Sequence, residues 1–240
     1  MTTSRRHFWH GARDSLPIVA SAAPFGLLFG ALAVDNGLSI GEAVLMSAML
    51  YAGASQMVGI ELFGAHVAPW LVVFSVFAVN FRHVLYSAAL GRKMDLIPGW
   101  RKAVAFFFLV DPQFAAAETR YEVGKPLTFA WYMGLAVPIY IFWVLEAWAG
   151  ALFGNLIAHP EAIGLDFVLS IYFLGLVLGF RKRANWLPVV IASGLGSVLA
   201  YWLVGSPWHV SLGALVGVCV AVLLPLKPDD PVADAAEAPL

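Results

Sequence analysis

The stretch Ala103–Glu118, "AVAFFFLVDPQFAAAE", decides how this chain is threaded. It is apolar enough to enter a membrane, but shorter than the roughly 20 residues that a spanning helix needs. Asp111-Pro112 stands in its middle. Proline lacks an amide hydrogen and pushes the preceding residue out of the helical region. The run is therefore read as two short pieces with a break between them. An Asp before a Pro also suits the start of a helix, where its carboxylate can cap the free amides. Arg101 and Lys102 precede the stretch, and Arg120 and Lys125 follow it. Cytoplasmic loops collect Lys and Arg, so a stretch with cations at both ends is expected to enter the membrane and return to the same side.

The whole chain supports a membrane setting. Its 240 residues are 61% hydrophobic and 12% charged, with a mean hydropathy of +0.82. Soluble domains carry about 25% charged residues. The net charge of −1 argues against a nucleic-acid partner. The lone Cys219 excludes an intrachain disulfide framework or a cysteine metal site. Nothing in the sequence asks for a cofactor or metal. Ala20-Ser21-Ala22 mimics a signal-peptidase site, but too few apolar residues precede it to form a signal peptide.

Eight apolar stretches can be drawn: 16–35, 42–63, 66–90, 103–118, 127–150, 165–180, 186–204 and 209–226. The predicted fold class is an all-α polytopic membrane protein with six to eight hydrophobic segments. The expected organisation is a cytoplasmic N-terminus at 1–15, a transmembrane domain at 16–226, and a Pro/Asp/Ala-rich disordered cytoplasmic tail at 227–240. Thirteen of the fourteen Lys and Arg residues fall in five segments: 5–13, 92–102, 120–125, 181–183 and Lys227. If every stretch crossed, the 92–102 cluster would lie outside. Placing all five in the cytoplasm, with both termini, requires one non-crossing stretch among the first three and another among the fourth to sixth. The candidates are 42–63, with Gly53 and Gly59 around Ser55-Gln56, and 103–118. The first stretch, with Pro17 and Pro24, competes with 42–63; kinked helices under an imperfect charge rule are the simpler alternative. Irregular backbone at membrane depth is tolerated where it lines a cavity, and broken helices build substrate sites in many secondary transporters. The spacing G-x-x-x-G at 26–30, 150–154, 175–179 and 213–217 is read as helix packing.

The fourteenth cation, Arg82, lies in "VNFRHVLYS" (79–87), inside an apolar stretch. A helix over 66–90 is about 37 Å long, which places Arg82 toward the cytoplasmic side of the midplane. There it needs a carboxylate, carbonyls or water, or else snorkels to the surface. Asn80, His83 and Ser87 share one helix face, and Arg82 and Tyr86 a neighbouring one. His83 titrates near neutrality when unperturbed, which suits proton coupling, although packing is the commoner role of a lone histidine. Ser47, Tyr51 and Ser55 recur at helical spacing, and Gln56 follows. If unwound, this segment offers carbonyls and an amide to a zwitterion; interhelical hydrogen bonding is the alternative. Asp111 is the candidate partner for Arg82 or carrier of a proton. Glu146, near the end of its span, ranks lower.

"YAGASQM" (51–57), "VNFRHVLYSAAL" (79–90), Asp111-Pro112-Gln113-Phe114-Ala115, "GLDFVL" (164–169) and "APFGLLFGALAVDNGLS" (23–39) together resemble the AzlC family, the large subunit of bacterial branched-chain amino acid exporters. The resemblance covers nearly the whole chain. It implies a protein of the bacterial inner membrane that works with a small membrane subunit of the AzlD type. It also implies export of branched-chain amino acids, and in some members methionine, at the expense of the proton gradient. The family's usual Asp-Glu pair is Asp111-Pro112 here, which leaves no second acid at that position.

The resulting expectation is a non-enzymatic exporter. Ser55, Gln56, Asn80, Arg82 and Phe25 are its candidate substrate-binding residues, and Asp111 and His83 its candidate proton-coupling residues. The alternatives are a structural membrane subunit without transport of its own, and an intramembrane serine protease using Ser55 and His83.

Overall fold

The computed structural model describes residues 3–94, 97–153, 168–205 and 208–225. Every regular element among them is a helix. The chain divides into two compact units, Met1–Leu174 and Gly175–Leu240. The segment "GLDFVL", Gly154 and the tail 227–240 lie largely or wholly outside the described residues.

The first unit is built on two long helices, α1 (Thr3–Asp35) and α8 (Phe129–Phe153). They run in the same direction. Gly11 of α1 sits against the backbone of Trp131 and Leu135, and Gly30 against that of Ala147 and Ala151. Gly134 of α8 meets Phe8, and Gly150 meets Leu27. A β-carbon at any of these four glycines would overlap the facing backbone, so the interlock depends on their absence. Helix α1 begins well before the first apolar stretch because tertiary contacts hold its polar turns. The Trp131 indole donates to Asp14 at 2.8 Å, and Thr128 bonds His7 at 3.2 Å.

Both stretches expected to be broken are broken. The first is α2 (Ile40–Leu50) and α3 (Gly53–Gly64), separated at Tyr51-Ala52. Tyr51 takes the left-handed conformation, φ 41° and ψ 50°. The second is α6 (Gly99–Phe107) and α7 (Asp111–Glu122). The helix between these pairs, expected as one piece over 66–90, runs from Pro69 to Lys93 with a tight turn at Phe81 that divides it into α4 (Pro69–Asn80) and α5 (Arg82–Lys93).

Each broken pair returns to the end it came from. At the base of the first hairpin, Gly64 packs on Asn36, and Phe63 lies over Gly37, just past the end of α1. At the base of the second, Lys102 donates to the Gly91 carbonyl at 3.1 Å, and Lys93 pairs with Glu118 at 2.6 Å. Arg120 donates to Pro126 O at 3.0 Å and lies over the Trp131 ring, beside the start of α8. Since α1 and α8 are parallel, the two hairpins enter from opposite ends of the unit. The cations at 92–102 and 120–125 flank the base of the second hairpin, as the charge census anticipates.

Helix α9 (Val168–Gly179) contains the division after Leu174, and the second unit holds an antiparallel pair, α10 (Trp186–Val204) and α11 (Trp208–Leu223). Gly213 and Gly217 fit against Ser197 and Ser193, and the Ser193 hydroxyl donates to Gly213 O at 2.9 Å. At Gly175 and Gly179, by contrast, a β-carbon would meet nothing within 4 Å among the described residues. Trp202, Leu203 and Leu223 are exposed; a helix apolar on its outer face belongs in lipid or against other membrane helices. Among the described residues, four helical segments are long and apolar enough to span a bilayer: Ser4–Asp35, Pro69–Lys93, Phe129–Phe153 and Trp186–Val204.

Candidate functional site

The two hairpin tips meet in the middle of the first unit. The Gln113 amide, fully buried on α7, donates to the Tyr51 hydroxyl at 2.7 Å. Tyr51 also packs edge-on against Tyr140 and Phe108. Beside this contact is a cavity of about 40 Å³ within a wider, partly open depression of about 410 Å³. Its walls are the two breaks (Tyr51, Gly53 and Ala54; Val110, Asp111 and Pro112), together with Ala22 and Phe25 of α1 and Ile139 and Trp143 of α8. The smaller volume holds only a few water molecules, so the tips are closed on each other.

The break in the first hairpin is held open by Gln56. Its Oε1 accepts from the Ala52 amide at 3.3 Å and from the Trp143 indole at 3.1 Å. Its Nε2 donates to Ser47 of α2 at 3.0 Å. One amide thus spans α2, the break and α8. The first amides of a helix have no intrahelical acceptor, and Gly53 and Ala54, the first residues of α3, line the cavity. Gly53 allows this close fit: a β-carbon there would lie 2.5 Å from the Phe25 ring and 3.0 Å from Trp143.

The break in the second hairpin carries the charge. Asp111 is the first residue of α7, directly after its N-cap Val110. Its two oxygens are used by Arg82 at 3.2 Å and by the Tyr86 hydroxyl at 2.8 Å. Arg82 therefore does not snorkel; its partner is the acid at the hairpin tip. The side chains are 22% and 14% exposed, so the pair is largely withdrawn from solvent. Tyr86 is held by a stacked contact with Phe114. At the junction of α4 and α5, Asn80 Oδ1 accepts from Ser55 of α3, and His83 Nδ1 is 3.1 Å from Asn80 O. The buried Nε2 of His83 has no hydrogen-bond partner among the described residues.

All seven candidate residues therefore fall around the hairpin tips. Phe25 and Asp111 line the cavity directly. Ser55, Gln56, Asn80, Arg82 and His83 stand behind its walls. Ser55 and His83 both bond Asn80, not each other, so the dyad a serine protease needs is not made.

A family model described as AzlC protein matches residues 17–157, more than half of the chain and most of the first unit. The chain belongs to the AzlC family. Among the relatives of this AzlC member is the inner membrane protein YgaZ of Escherichia coli (strain K12), 32% identical over 222 residues, which cover 90% of each chain. The branched-chain amino acid transport protein AzlC of Bacillus subtilis (strain 168) is 25% identical over 231 residues, covering 93% of this chain and 89% of the relative. An uncharacterized membrane protein of Archaeoglobus fulgidus is 32% identical over 172 residues, covering 71% and 74%. No solved structure matches the chain.

Sequence reasoning did not select Trp143, Tyr51 or Gln113 as site residues of this AzlC chain. One signal was available. Each break carries an aromatic residue followed five positions later by a glutamine, Tyr51 with Gln56 and Phe108 with Gln113. Trp143 carries no such mark, because an aromatic in an apolar helix reads as packing.

Proposed function

We propose that this chain is the large subunit of a two-component secondary exporter of branched-chain amino acids, driven by the proton gradient, and that the cavity between the hairpin tips is its substrate site. The observation that carries this reading is the meeting of two broken hairpins from opposite ends at one partly apolar cavity. A site reached by hairpins from both ends can open to one side while the opposite hairpin seals the other. A small membrane subunit of the AzlD type completes the transporter in the inner membrane, with both termini in the cytoplasm.

The chemistry of the walls suits an aliphatic zwitterion. The amides of Gly53 and Ala54, at the positive end of α3, take the carboxylate. Phe25, Ile139 and Trp143 take the branched side chain. Asp111 takes the ammonium. Ser55, Gln56, Asn80 and Arg82 keep the two breaks in position around it. A proton and a substrate ammonium both neutralise Asp111, so they compete for it. Competition for one carboxylate couples outward substrate flux to inward proton flux. His83, with one ring nitrogen unengaged, passes protons to this region. The name of the Bacillus subtilis relative agrees with this substrate class.

The test is transport by the purified chain in liposomes, with and without the small subunit. Valine accumulation driven by an imposed pH gradient, and present only when both subunits are reconstituted, is the expected result. A complex that moves no branched-chain amino acid or methionine overturns the reading and favours a structural subunit.

A further inference from the structure

Glu146 is the acidic residue the site leaves unused. It lies within the apolar spanning helix α8, three residues after Trp143. Its carboxyl sits over Gly26 of α1, where a β-carbon would lie 2.6 Å from Oε2 and 2.8 Å from the Glu146 Cβ. Gly26 adjoins Phe25, and Phe25 and Trp143 both line the cavity. Glu146 is therefore one helical turn beyond the cavity wall, toward the end where α1 and α8 finish. About 10 Å of helix separates it from that end.

No hydrogen-bond or ion-pair partner for Glu146 exists among the described residues. Residues 16–35 of α1, and all of α2, α3 and α8, contain no Lys or Arg. The acids on these elements are distant or engaged: Asp35 lies nine residues past Gly26, Glu42 is bonded to Ser39, and Glu61 is exposed. Tyr140, on α8 itself, donates to Ala48 O. A lone carboxylate within a membrane helix is costly and marks a proton or ion path by default; taking up a proton removes the charge.

We propose that Glu146 is a proton-transfer site linking the cavity to the end where α1 and α8 finish, opposite the base of the second hairpin. It takes a proton from water at that end and releases it into the water of the cavity, where Asp111 is the acceptor. Gly26 makes the notch that holds the carboxyl in line with the cavity. The inference rests on the exporter reading and adds the route by which its driving proton enters.

The experiment uses membrane vesicles carrying the small subunit together with the wild-type chain, Glu146→Gln or Gly26→Ala. Dicyclohexylcarbodiimide modifies carboxyls that are protonated in apolar surroundings, and peptide mass spectrometry locates the adduct. The expected adduct is at Glu146 in the wild type, diminishing as pH rises, and lost in Gly26→Ala because the new methyl displaces the side chain. Both variants lose valine accumulation driven by a pH gradient but continue valine–valine exchange, which moves no net proton. An adduct at Asp111 with none at Glu146, or undiminished proton-driven accumulation in both variants, overturns the inference while the exporter reading stands. Wild-type vesicles with neither accumulation nor exchange overturn both.

Discussion

The Gln113 amide donates to the Tyr51 hydroxyl at 2.7 Å, and this bond joins the tips of the two hairpins. Both residues are buried, and Tyr51 holds a left-handed backbone that costs a side-chain-bearing residue about 1–3 kcal/mol. The Gln113 Oε1 already has no hydrogen-bond partner among the described residues. Tyr51→Phe removes the acceptor and leaves both polar ends of Gln113 unsatisfied. The expected cost is about 1–3 kcal/mol, read as a lower melting temperature in detergent, with valine transport lost because the closed state no longer forms. Unchanged melting and transport would show that the bond does not hold the tips together.

The Arg82–Asp111 pair predicts a non-additive mutant cycle. Arg82→Gln leaves Asp111 withdrawn from solvent without its cation, and is expected to cost up to about 3 kcal/mol and to reduce the amount of folded protein. Asp111→Asn alone takes the carboxylate away from Arg82 and costs a similar amount. The double variant removes both charges and should recover folded protein in size-exclusion profiles, while transport stays absent because the proposed ammonium and proton site is lost. Valine export by Arg82→Gln at matched expression would remove the pair from the mechanism.

Gly53 sets the size of the cavity. A methyl group there meets Phe25 and Trp143, so Gly53→Ala should abolish valine transport while the protein still reaches the membrane. Phe25→Ala enlarges the same wall and should shift preference toward bulkier apolar substrates such as methionine. Competition of unlabelled amino acids against labelled valine measures both effects. An unaltered substrate profile in both variants would move the site away from the hairpin tips.

The α1–α8 interlock predicts a sharp contrast between glycines. Gly134→Ala drives a β-carbon into the Phe8 backbone, and backbone cannot move aside as a flexible side chain does. The expected result is loss of folded protein by thermal unfolding and fluorescence size-exclusion. Gly175→Ala meets nothing within 4 Å and should leave folding unchanged. Equal behaviour of the two variants would refute the close approach.

The opposed hairpins predict sidedness. In a chain whose Cys219 is replaced by Ser, single cysteines at Gly37 and Ala65 should react with a membrane-impermeant maleimide from one side. Cysteines at Arg101 and Gly124 should react only from the other. A cysteine at Leu109 or Ala52, near a tip, should be shielded from both. Labelling of positions 37 and 65 from different sides would make the first hairpin a crossing segment.

The sequence alone pointed to an all-α membrane protein and named 42–63 and 103–118 as the candidates for broken segments. Charge, hydropathy and proline act locally: a cation pins a loop, and Asp111-Pro112 cannot continue a helix. The sequence also marked Arg82 and Asp111 as polar groups that need partners at membrane depth. It did not say that they are each other's partner, because that pairing depends on the second hairpin folding back along α5. Nor did it reveal that Gln56 and Ser55 are engaged in holding the first break, or that Trp143 closes the cavity. Those roles come from glycines that let α1 and α8 approach in parallel, which sets both hairpins at opposite ends of one frame. Local chemistry determined which segments break; the tertiary structure decided that the breaks face each other, since only packing between distant segments brings the two tips to one point.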